Sequence, residues 1–267
     1  MTDRVFIEAW GYSVIGSRAA NEDSFLAAPF VDGEHWLLLV VDGMGGYQGG
    51  QEAARRTVTT FEILLGQTVP TARRDRYAWL LEAFHAAREH IRLGASRELS
   101  WCNMGVTLVA AVVNATECLH LHAGDCRLYH VREGLCSYVT RDHSVVDLLL
   151  EMGHITEEAV ATHPMRSMVS SCLGASPRSN LCVDPKWQDT GDVQPAFLAL
   201  QPHDVLLLCS DGFHRLDRGE ELTRFLKKQN QVWAELVPRW VEQRVAEGGD
   251  DNATLVLARV GSGTKPP

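Results

Sequence analysis

The feature that most constrains the fold is an apolar run at residues 36–41 that stops at Asp42 and is followed by a glycine-rich turn. Six consecutive apolar residues with no polar face predict a strand buried on both sides. A buried carboxylate without a partner is very costly, so Asp42 needs compensating charge where this strand ends. Gly43, Gly45 and Gly46 let the backbone turn sharply there or approach a ligand closely.

The same arrangement recurs along the chain. Asp125 follows an apolar stretch, Asp211 follows another, and Asp251 precedes the last one. Carboxylates that end several core strands predict one shared acidic site. Because like charges raise one another's pKa, such a site favours divalent cations, and an all-oxygen donor set selects Mg²⁺ or Mn²⁺.

A polar turn at residues 16–24 adds further charged groups, with Arg18, Glu22 and Asp23 within six positions. By itself it is equally well explained as a solvated turn. Beside the other carboxylates it offers more metal ligands and a guanidinium whose planar fork matches phosphate oxygens. Two ions about 3.5–4 Å apart can activate a water for attack on a phosphoryl group.

Strands occur in blocks and helices in pairs, which predicts an α+β fold with two mostly antiparallel sheets flanked by helix pairs, a four-layer αββα sandwich. We predict helices at residues 52–65, 73–99, 145–152, 220–228 and 232–246, and strands that include 168–173 and 181–187. Residues 1–260 are expected to form one domain and residues 261–267 a loose tail.

Composition limits the kinds of partner and the cellular location that we expect for the protein. A net charge of −9 argues against nucleic acid as a partner. The seven cysteines include no CxxC pair, which indicates reduced thiols and a cytoplasmic protein. No signal peptide is recognisable, and no apolar run approaches the roughly 18 residues that cross a bilayer. We therefore expect no membrane association, and a monomer.

Seven motifs in one order carry a resemblance that spans residues 7–260, nearly the whole chain. They are Arg18-x-x-Asn21-Glu22-Asp23, Asp42-Gly43-Met44-Gly45-Gly46, Met104-Gly105-Val106-Thr107, Gly124-Asp125-Cys126-Arg127, Thr140-Arg141-Asp142-His143-Ser144, Cys209-Ser210-Asp211-Gly212 and Asp251-Asn252-Ala253-Thr254. This set resembles the PP2C (PPM) family of metal-dependent protein serine/threonine phosphatases in its bacterial form. The family's fold is a β-sandwich flanked by helix pairs, in agreement with the layered prediction.

The resemblance implies a set of metal ligands. Asp42 would bridge two Mn²⁺ or Mg²⁺ ions. Asp211 and Asp251 would complete the protein ligands of the first ion, and Glu22 and the Gly43 carbonyl would hold the second.

It also implies supporting roles. Asp23 would hydrogen-bond water in the metal centre, and Asp125, with Asp211, would contribute to a third, weaker site. Arg18 would bind the substrate phosphate. Residues 144–174 would form a flap beside the site that influences substrate selectivity.

Arg18, Asp42 and Asp211 are therefore the predicted catalytic residues of an enzyme that hydrolyses phosphoserine and phosphothreonine in proteins by attack of a metal-activated water. Its expected partners are phosphorylated proteins, a Ser/Thr kinase among them. Met44 stands where some relatives have a histidine proposed as general acid, which leaves the proton donor open. Two other functions stay open: a regulatory module that binds phosphoproteins without turnover, and a two-metal phosphoesterase acting on a small metabolite or nucleotide.

Overall fold

The structure, a computed structural model, describes residues 5–46, 48–160, 162–187, 195–215 and 232–263. Within these ranges the strands are β1 Val5–Val14, β2 Asp23–Pro29, β3 Trp36–Met44, β4 Gly105–Val113, β5 Glu117–Ala123, β6 Arg127–Arg132, β7 Leu135–Val139, β8 Leu173–Gly174, β9 Phe197–Ala199, β10 Val205–Cys209 and β11 Ala253–Ser262. The α-helices are α1 Gln48–Glu62, α2 Arg73–Ala95, α3 Val145–Glu151, α4 Glu157–Val160, α5 Asp211–His214 and α6 Trp233–Ala246. Short 3₁₀ turns lie at Ile63–Gly66 and Leu99–Trp101.

The described strands form two antiparallel sheets. One has the order β1-β11-β10-β6-β7, and the other has the order β2-β3-β4-β5-β9 with β8 paired to the start of β4. The longest pairing joins β1 to β11, from Val5 opposite Ser262 to Val14 opposite Ala253, so the two ends of the described chain lie side by side.

Strand β3 is central to its sheet, which explains its continuous apolar sequence. It pairs with β2 on one side and β4 on the other, and the side chains at 37–41 are fully buried. Leu38 and Val40 pack against the other sheet, whereas Leu39 and Val41 pack against the helices outside. Two apolar faces therefore require an unbroken apolar run.

Helices cover both outer faces. Phe61 of α1 and Phe84 of α2 meet edge to face over the β3 sheet. Val237 and Trp240 of α6 pack on the outer face of the β10–β11 sheet. The four-layer αββα fold is thus confirmed, with α1 and α2 as one helix pair; the helix predicted at 220–228 lies outside the described residues.

Two strand predictions were wrong in extent. Residues 168–173 provide only an isolated bridge from Val169 to Ser144 and the short β8, and residues 181–187 provide only a bridge from Asp184 to His122. Backbone groups in these segments bond to scattered partners rather than to one neighbouring strand: Ser170 N–H donates to the His143 carbonyl and Cys172 N–H to the Asn180 carbonyl. At Cys182 the partner is a side chain, because the Ser171 hydroxyl donates to its carbonyl and accepts from its N–H. Side-chain partners of this kind compete with a sheet ladder.

None of the helices in the described part of the chain combines the length and apolar character needed to cross a bilayer. The assignment of residues 1–260 to one domain, the tail at 261–267 and the monomeric state stay predictions.

Candidate metal centre

The site forms where the two sheets meet at one end of the sandwich. Asp23, the first residue of β2, lies directly opposite Asp42 of β3. One oxygen of Asp23 accepts hydrogen bonds of 2.7 Å from the hydroxyls of Thr254, in β11 of the other sheet, and Ser210, the residue after β10. Like charges directly opposite on paired strands repel, so strand stability does not explain the pairing of Asp23 with Asp42.

Asn252 fastens the polar turn to this end of the sandwich. Its side-chain oxygen accepts from the Glu22 N–H at 2.8 Å, and its amide donates to the carbonyls of Ile15 and Ala20. The turn thereby comes against the segment before β11, and the Arg18 guanidinium lies 2.8 Å from the Asp251 carboxylate.

Asp125 and Asp211 approach from the ends of two further strands. Asp211 begins α5, and only Ser210 separates it from the end of β10. Only Gly124 separates Asp125 from Ala123, the last residue of β5. Arg215, one helical turn beyond Asp211, contacts both carboxylates, at 2.6 Å from Asp211 and 3.6 Å from Asp125. Both aspartates are 8% exposed.

The crowding of these carboxylates raises their pKa values. Burial first, and then the charges of Asp23, Asp211, Asp125 and Asp251, hold the pKa of Asp42 well above its ordinary range. Burial also raises the pKa of Asp23 to about 7, although hydrogen bonds from Thr254 and Ser210 oppose the shift. Burial raises the pKa of Asp125 to about 6, although the nearby charge of Arg215 opposes it. In this site the negative charge exceeds the positive charge that the protein itself supplies.

Glu22 provides a second, independent sign that a cation belongs here. Its Oε1 atom is buried and has no hydrogen-bond partner. Burial raises the pKa of Glu22, and Arg18 opposes the shift. A Cβ on Gly50 would lie 2.8 Å from the Glu22 carboxyl carbon, so the glycine at the start of α1 makes room for this side chain.

The donor chemistry fits divalent metal ions. An unpartnered carboxylate oxygen beside several carboxylates of raised pKa is the environment that a hard cation relieves, since it neutralises the repulsion and accepts the oxygen lone pairs. The structure brings together every residue that the sequence predicted for the site: Arg18, Glu22, Asp23, Asp42, Gly43, Asp125, Asp211 and Asp251.

Comparison with known proteins places this arrangement in a family. The sequence profile described as Protein phosphatase 2C matches residues 10–247. The chain belongs to the protein phosphatase 2C family. The predicted resemblance is therefore confirmed, and the protein is a serine/threonine phosphatase.

Individual relatives agree with this assignment. The phosphatase is 28% identical to the serine/threonine phosphatase stp of Listeria innocua over 83% of each chain. It resembles the crystal structure of the Mycobacterium tuberculosis serine/threonine phosphatase PstP/Ppp with a TM-score of 0.79 and 28% identity, over 96% of this chain and 99% of that one. A structure of the PstP catalytic domain in complex with two manganese ions matches with a TM-score of 0.77 and 26% identity, over 97% of this chain and 100% of that one.

Several residues that shape the site were not assigned a role from the sequence. Ser210, Asn252 and Thr254 stand inside the quoted motifs, but only their hydrogen bonds to the turn and to Asp23 show what they do. Arg215 was missed altogether. Its spacing of four from Asp211 places the two on one helix face, and this was the available signal.

Gly43 has a steric requirement that gives a testable prediction. A Cβ at this position would lie 2.4 Å from the Gly50 carbonyl oxygen and 2.6 Å from that of Glu22. Both contacts are backbone, so Gly43→Ala should push β3 away from α1 and lower the free energy of unfolding by about 1–3 kcal/mol. Gly66→Ala is the matched control, because its Cβ would meet nothing within 4 Å. Equal urea midpoints for the two variants would contradict the prediction.

Proposed function

We propose that the phosphatase hydrolyses phosphoserine and phosphothreonine in proteins at a centre of two divalent ions, and that it reverses the action of a Ser/Thr kinase. The observation that carries the proposal is the convergence of Asp23, Asp42, Asp125 and Asp211, which burial and mutual repulsion leave with raised pKa values. The manganese complex of the related PstP catalytic domain supports it.

In this proposal the carboxylates divide the ions between them. Asp42 would contribute to both sites, Asp211 and Asp251 would complete the ligands of the first ion, and Glu22 and the Gly43 carbonyl would hold the second. The partner that Glu22 Oε1 lacks would be the second ion. Mn²⁺ and Mg²⁺ both suit an all-oxygen set.

Two acidic residues have supporting roles. One Asp23 oxygen accepts from both Ser210 and Thr254, so its second oxygen would be the one to orient water in the centre. Asp125, held near Asp211 by their shared contact with Arg215, would contribute to a third ion. When bound, the ions supply an activated water and neutralise charge on the phosphoryl oxygens.

Arg18 exchanges partners in the working enzyme. Its guanidinium donates to the Asp251 carboxylate and to the Asp250 carbonyl, and 54% of the side chain is exposed. If Asp251 is taken as a metal ligand, the guanidinium would be free to bind a phosphate in a bidentate manner. Arg18 thus orients the substrate. Of the proposed flap at residues 144–174, Ser144, Arg166 and Met168 line a cavity together with Asp125, a position from which the flap would influence which phosphoprotein binds.

The protein itself positions the reacting groups but offers no obvious proton donor at Met44, whose thioether cannot donate a proton. His143, in the Asp142-His143-Ser144 turn, directs its ring at other groups: its Nε2 is 2.9 Å from the Asp184 carboxylate, and its Nδ1 accepts from the Gly124 N–H. The proton for the leaving serine or threonine oxygen therefore comes from another source, such as solvent in the centre.

One assay tests the proposal. The purified protein is incubated with a phosphothreonine peptide, a nucleotide and an aryl phosphate, each with Mn²⁺, with Mg²⁺ and with a chelator. We expect phosphate release from the peptide that requires metal and exceeds release from the nucleotide. Peptide binding without release in any metal would favour the regulatory module, and preference for the nucleotide would favour the small-molecule phosphoesterase.

The same assay examines Arg18. Arg18→Ala should raise KM for the phosphopeptide by roughly tenfold, the effect expected when a charge-assisted bidentate contact is lost. Arg92→Ala is the matched control, because Arg92 is similarly exposed and is paired with Glu89 on α2.

A further inference from the structure

A second group of potential metal ligands lies outside the acidic centre. A ring nitrogen of His143, Cys182 Sγ and an Asp184 carboxylate oxygen all lie within 4.8 Å of one another, and each residue is partly buried. They adjoin a cavity of about 440 Å³. Among the described residues no other group of three His, Cys, Asp or Glu side chains meets this spacing.

We propose that His143, Cys182 and Asp184 form a binding site for Zn²⁺, separate from the acidic centre. Imidazole and thiolate donors favour Zn²⁺, whereas Mg²⁺ and Mn²⁺ prefer oxygen donors. The two sites therefore differ in the ion that each selects. The proposal does not depend on the phosphatase mechanism.

The distances from Asp184 Oδ2 to the other two donor atoms are within about 0.3 Å of those expected around a tetrahedral zinc ion. Bonds of about 2.0–2.3 Å to zinc place neighbouring N, S and O donors roughly 3.2–3.6 Å apart. His143 Nε2 lies 2.9 Å from Asp184 Oδ2, and Cys182 Sγ lies 3.7 Å from the same oxygen. Small side-chain rotations are enough to admit the ion, and the adjoining cavity leaves its fourth position open to water.

A protein cation already occupies the edge of this group. The Lys186 ammonium lies 3.3 Å from Cys182 Sγ and 3.6 Å from Asp184 Oδ1. Its side chain is 56% exposed, so it can move into solvent when zinc binds. Asp142 does not compete as a ligand, because Arg127 holds both of its oxygens at 2.7 and 2.8 Å.

Two neighbours contact the His143 ring, and zinc would leave the stacking on His122 intact while breaking the contact with Gly124. Its ring stacks on the buried His122 ring with centroids 4.6 Å apart. The Gly124 N–H donates to Nδ1 at 3.3 Å, which assigns the imidazole proton to Nε2, where it is shared with Asp184. Zinc would take the place of that proton on Nε2, with the proton moving to Nδ1 as the long Gly124 contact opens.

The location suggests what the ion does. The His143 N–H donates to the Gly124 carbonyl, and the His143 carbonyl accepts from Ser170, so this residue joins the end of β5 to both ends of the 144–174 segment. Asp184 exchanges backbone hydrogen bonds with His122 of β5. Zinc would thus cross-link two segments at the base of the flap.

Cobalt spectroscopy tests the proposal, because tetrahedral Co²⁺ bound to a thiolate absorbs in the near ultraviolet whereas Co²⁺ bound to oxygen ligands does not. The full chain is titrated with Co²⁺ in excess Mg²⁺. We expect a thiolate-to-cobalt band that Zn²⁺ abolishes by displacement, that Cys182→Ser removes, and that Cys172→Ser and Asp42→Asn retain. The absence of the band in the unaltered protein, or its survival in Cys182→Ser, would overturn the proposal.

Loss of the band in Cys182→Ser could also result from misfolding, so a variant that is expected to bind Co²⁺ more tightly provides a second test. Lys186→Met removes the competing ammonium but keeps a side chain of similar length. It should tighten Co²⁺ binding roughly fivefold, the effect of one partly exposed ion pair. A misfolded protein cannot bind more tightly, so weaker or unchanged binding in a folded Lys186→Met protein would count against the site. The readout is absorbance, so these outcomes are independent of phosphopeptide hydrolysis.

Discussion

Asp42→Asn should abolish phosphatase activity and, in the same protein, make the metal-free fold more stable. Asp42 is the proposed ligand of both ions, and without it we expect hydrolysis of the phosphopeptide to fall by about a thousandfold or more. The stability gain follows from charge. Burial and the neighbouring aspartates raise the pKa of Asp42, so its ionised form is a cost to the metal-free fold.

Removing this charge should raise the free energy of unfolding in chelator by about 1–3 kcal/mol. Asp32→Asn is the opposing control. The pKa of Asp32 is lowered, although burial opposes this, because the N–H groups of His35 and Glu34 donate to it. Its neutralisation should therefore lower stability and leave activity unchanged. An Asp42→Asn protein that unfolds more readily than the unaltered one in chelator would disprove the electrostatic account.

The second large effect is the stabilisation that metal provides, which should depend steeply on pH. We expect Mn²⁺, at one fixed concentration a hundredfold above its Kd at pH 8, to raise Tm by about 5–10 °C at pH 8 and by little at pH 5. The reason is competition, because protons occupy the carboxylates that the ions need.

The sign follows from the pKa values of the metal-free protein. Asp23, with its pKa raised to about 7, and Asp125, raised to about 6, take up protons on folding. Their contribution to stability is present in full below the unfolded pKa of about 4 and is lost as the pH rises through 6 to 7. Bound metal would restore this lost stability above that pH range, because it neutralises the ionised carboxylates.

Buried histidines act in the opposite direction. Burial lowers the pKa of His120 to about 3 and those of His122 and His214 to about 4, so these rings lose protons on folding. Their contribution grows as the pH rises toward the unfolded pKa of about 6.5. The stability of the metal-free protein against pH therefore combines two opposed slopes.

The effect of metal should therefore be measured as the difference in Tm between a sample with Mn²⁺ and a sample with chelator. Thermal unfolding with Mn²⁺ and with chelator, compared at each pH, cancels the histidine contribution because it is common to both samples. Asp42→Asn should show no metal-induced rise at any pH. A rise in the unaltered protein that is the same at pH 5 and pH 8 would show that the aspartates do not bind the ion.

Part of the fold and of the candidate site could be predicted from the sequence alone. The apolar run before Asp42 predicted the central strand, because a strand with two buried faces needs apolar residues at every position. The acidic residues at strand ends predicted one charged site, and the structure brings them together. Those signals are local: each depends on neighbours in sequence and on the period of the backbone.

Other features depended on contacts between distant segments. Asp23 is positioned by Thr254, 231 residues away, through the register of two sheets that no local pattern encodes. Residues 168–173 and 181–187 do not form the predicted long strands, because their backbone groups bond to several different segments, and at Cys182 to the Ser171 side chain, instead of to one neighbouring strand. His143, Cys182 and Asp184 formed no recognisable motif, being up to 41 residues apart.

The sequence by itself thus determined which strands are buried, where each one ends, and that carboxylates stand at those ends. Only the tertiary structure decided which of these groups meet, how closely they lie, and which atoms stay without a partner. The physical reason is that hydrophobic periodicity is set by residues a few positions apart, whereas the repulsion among carboxylates and the geometry of a metal site depend on distances of a few ångströms between residues far apart in the chain.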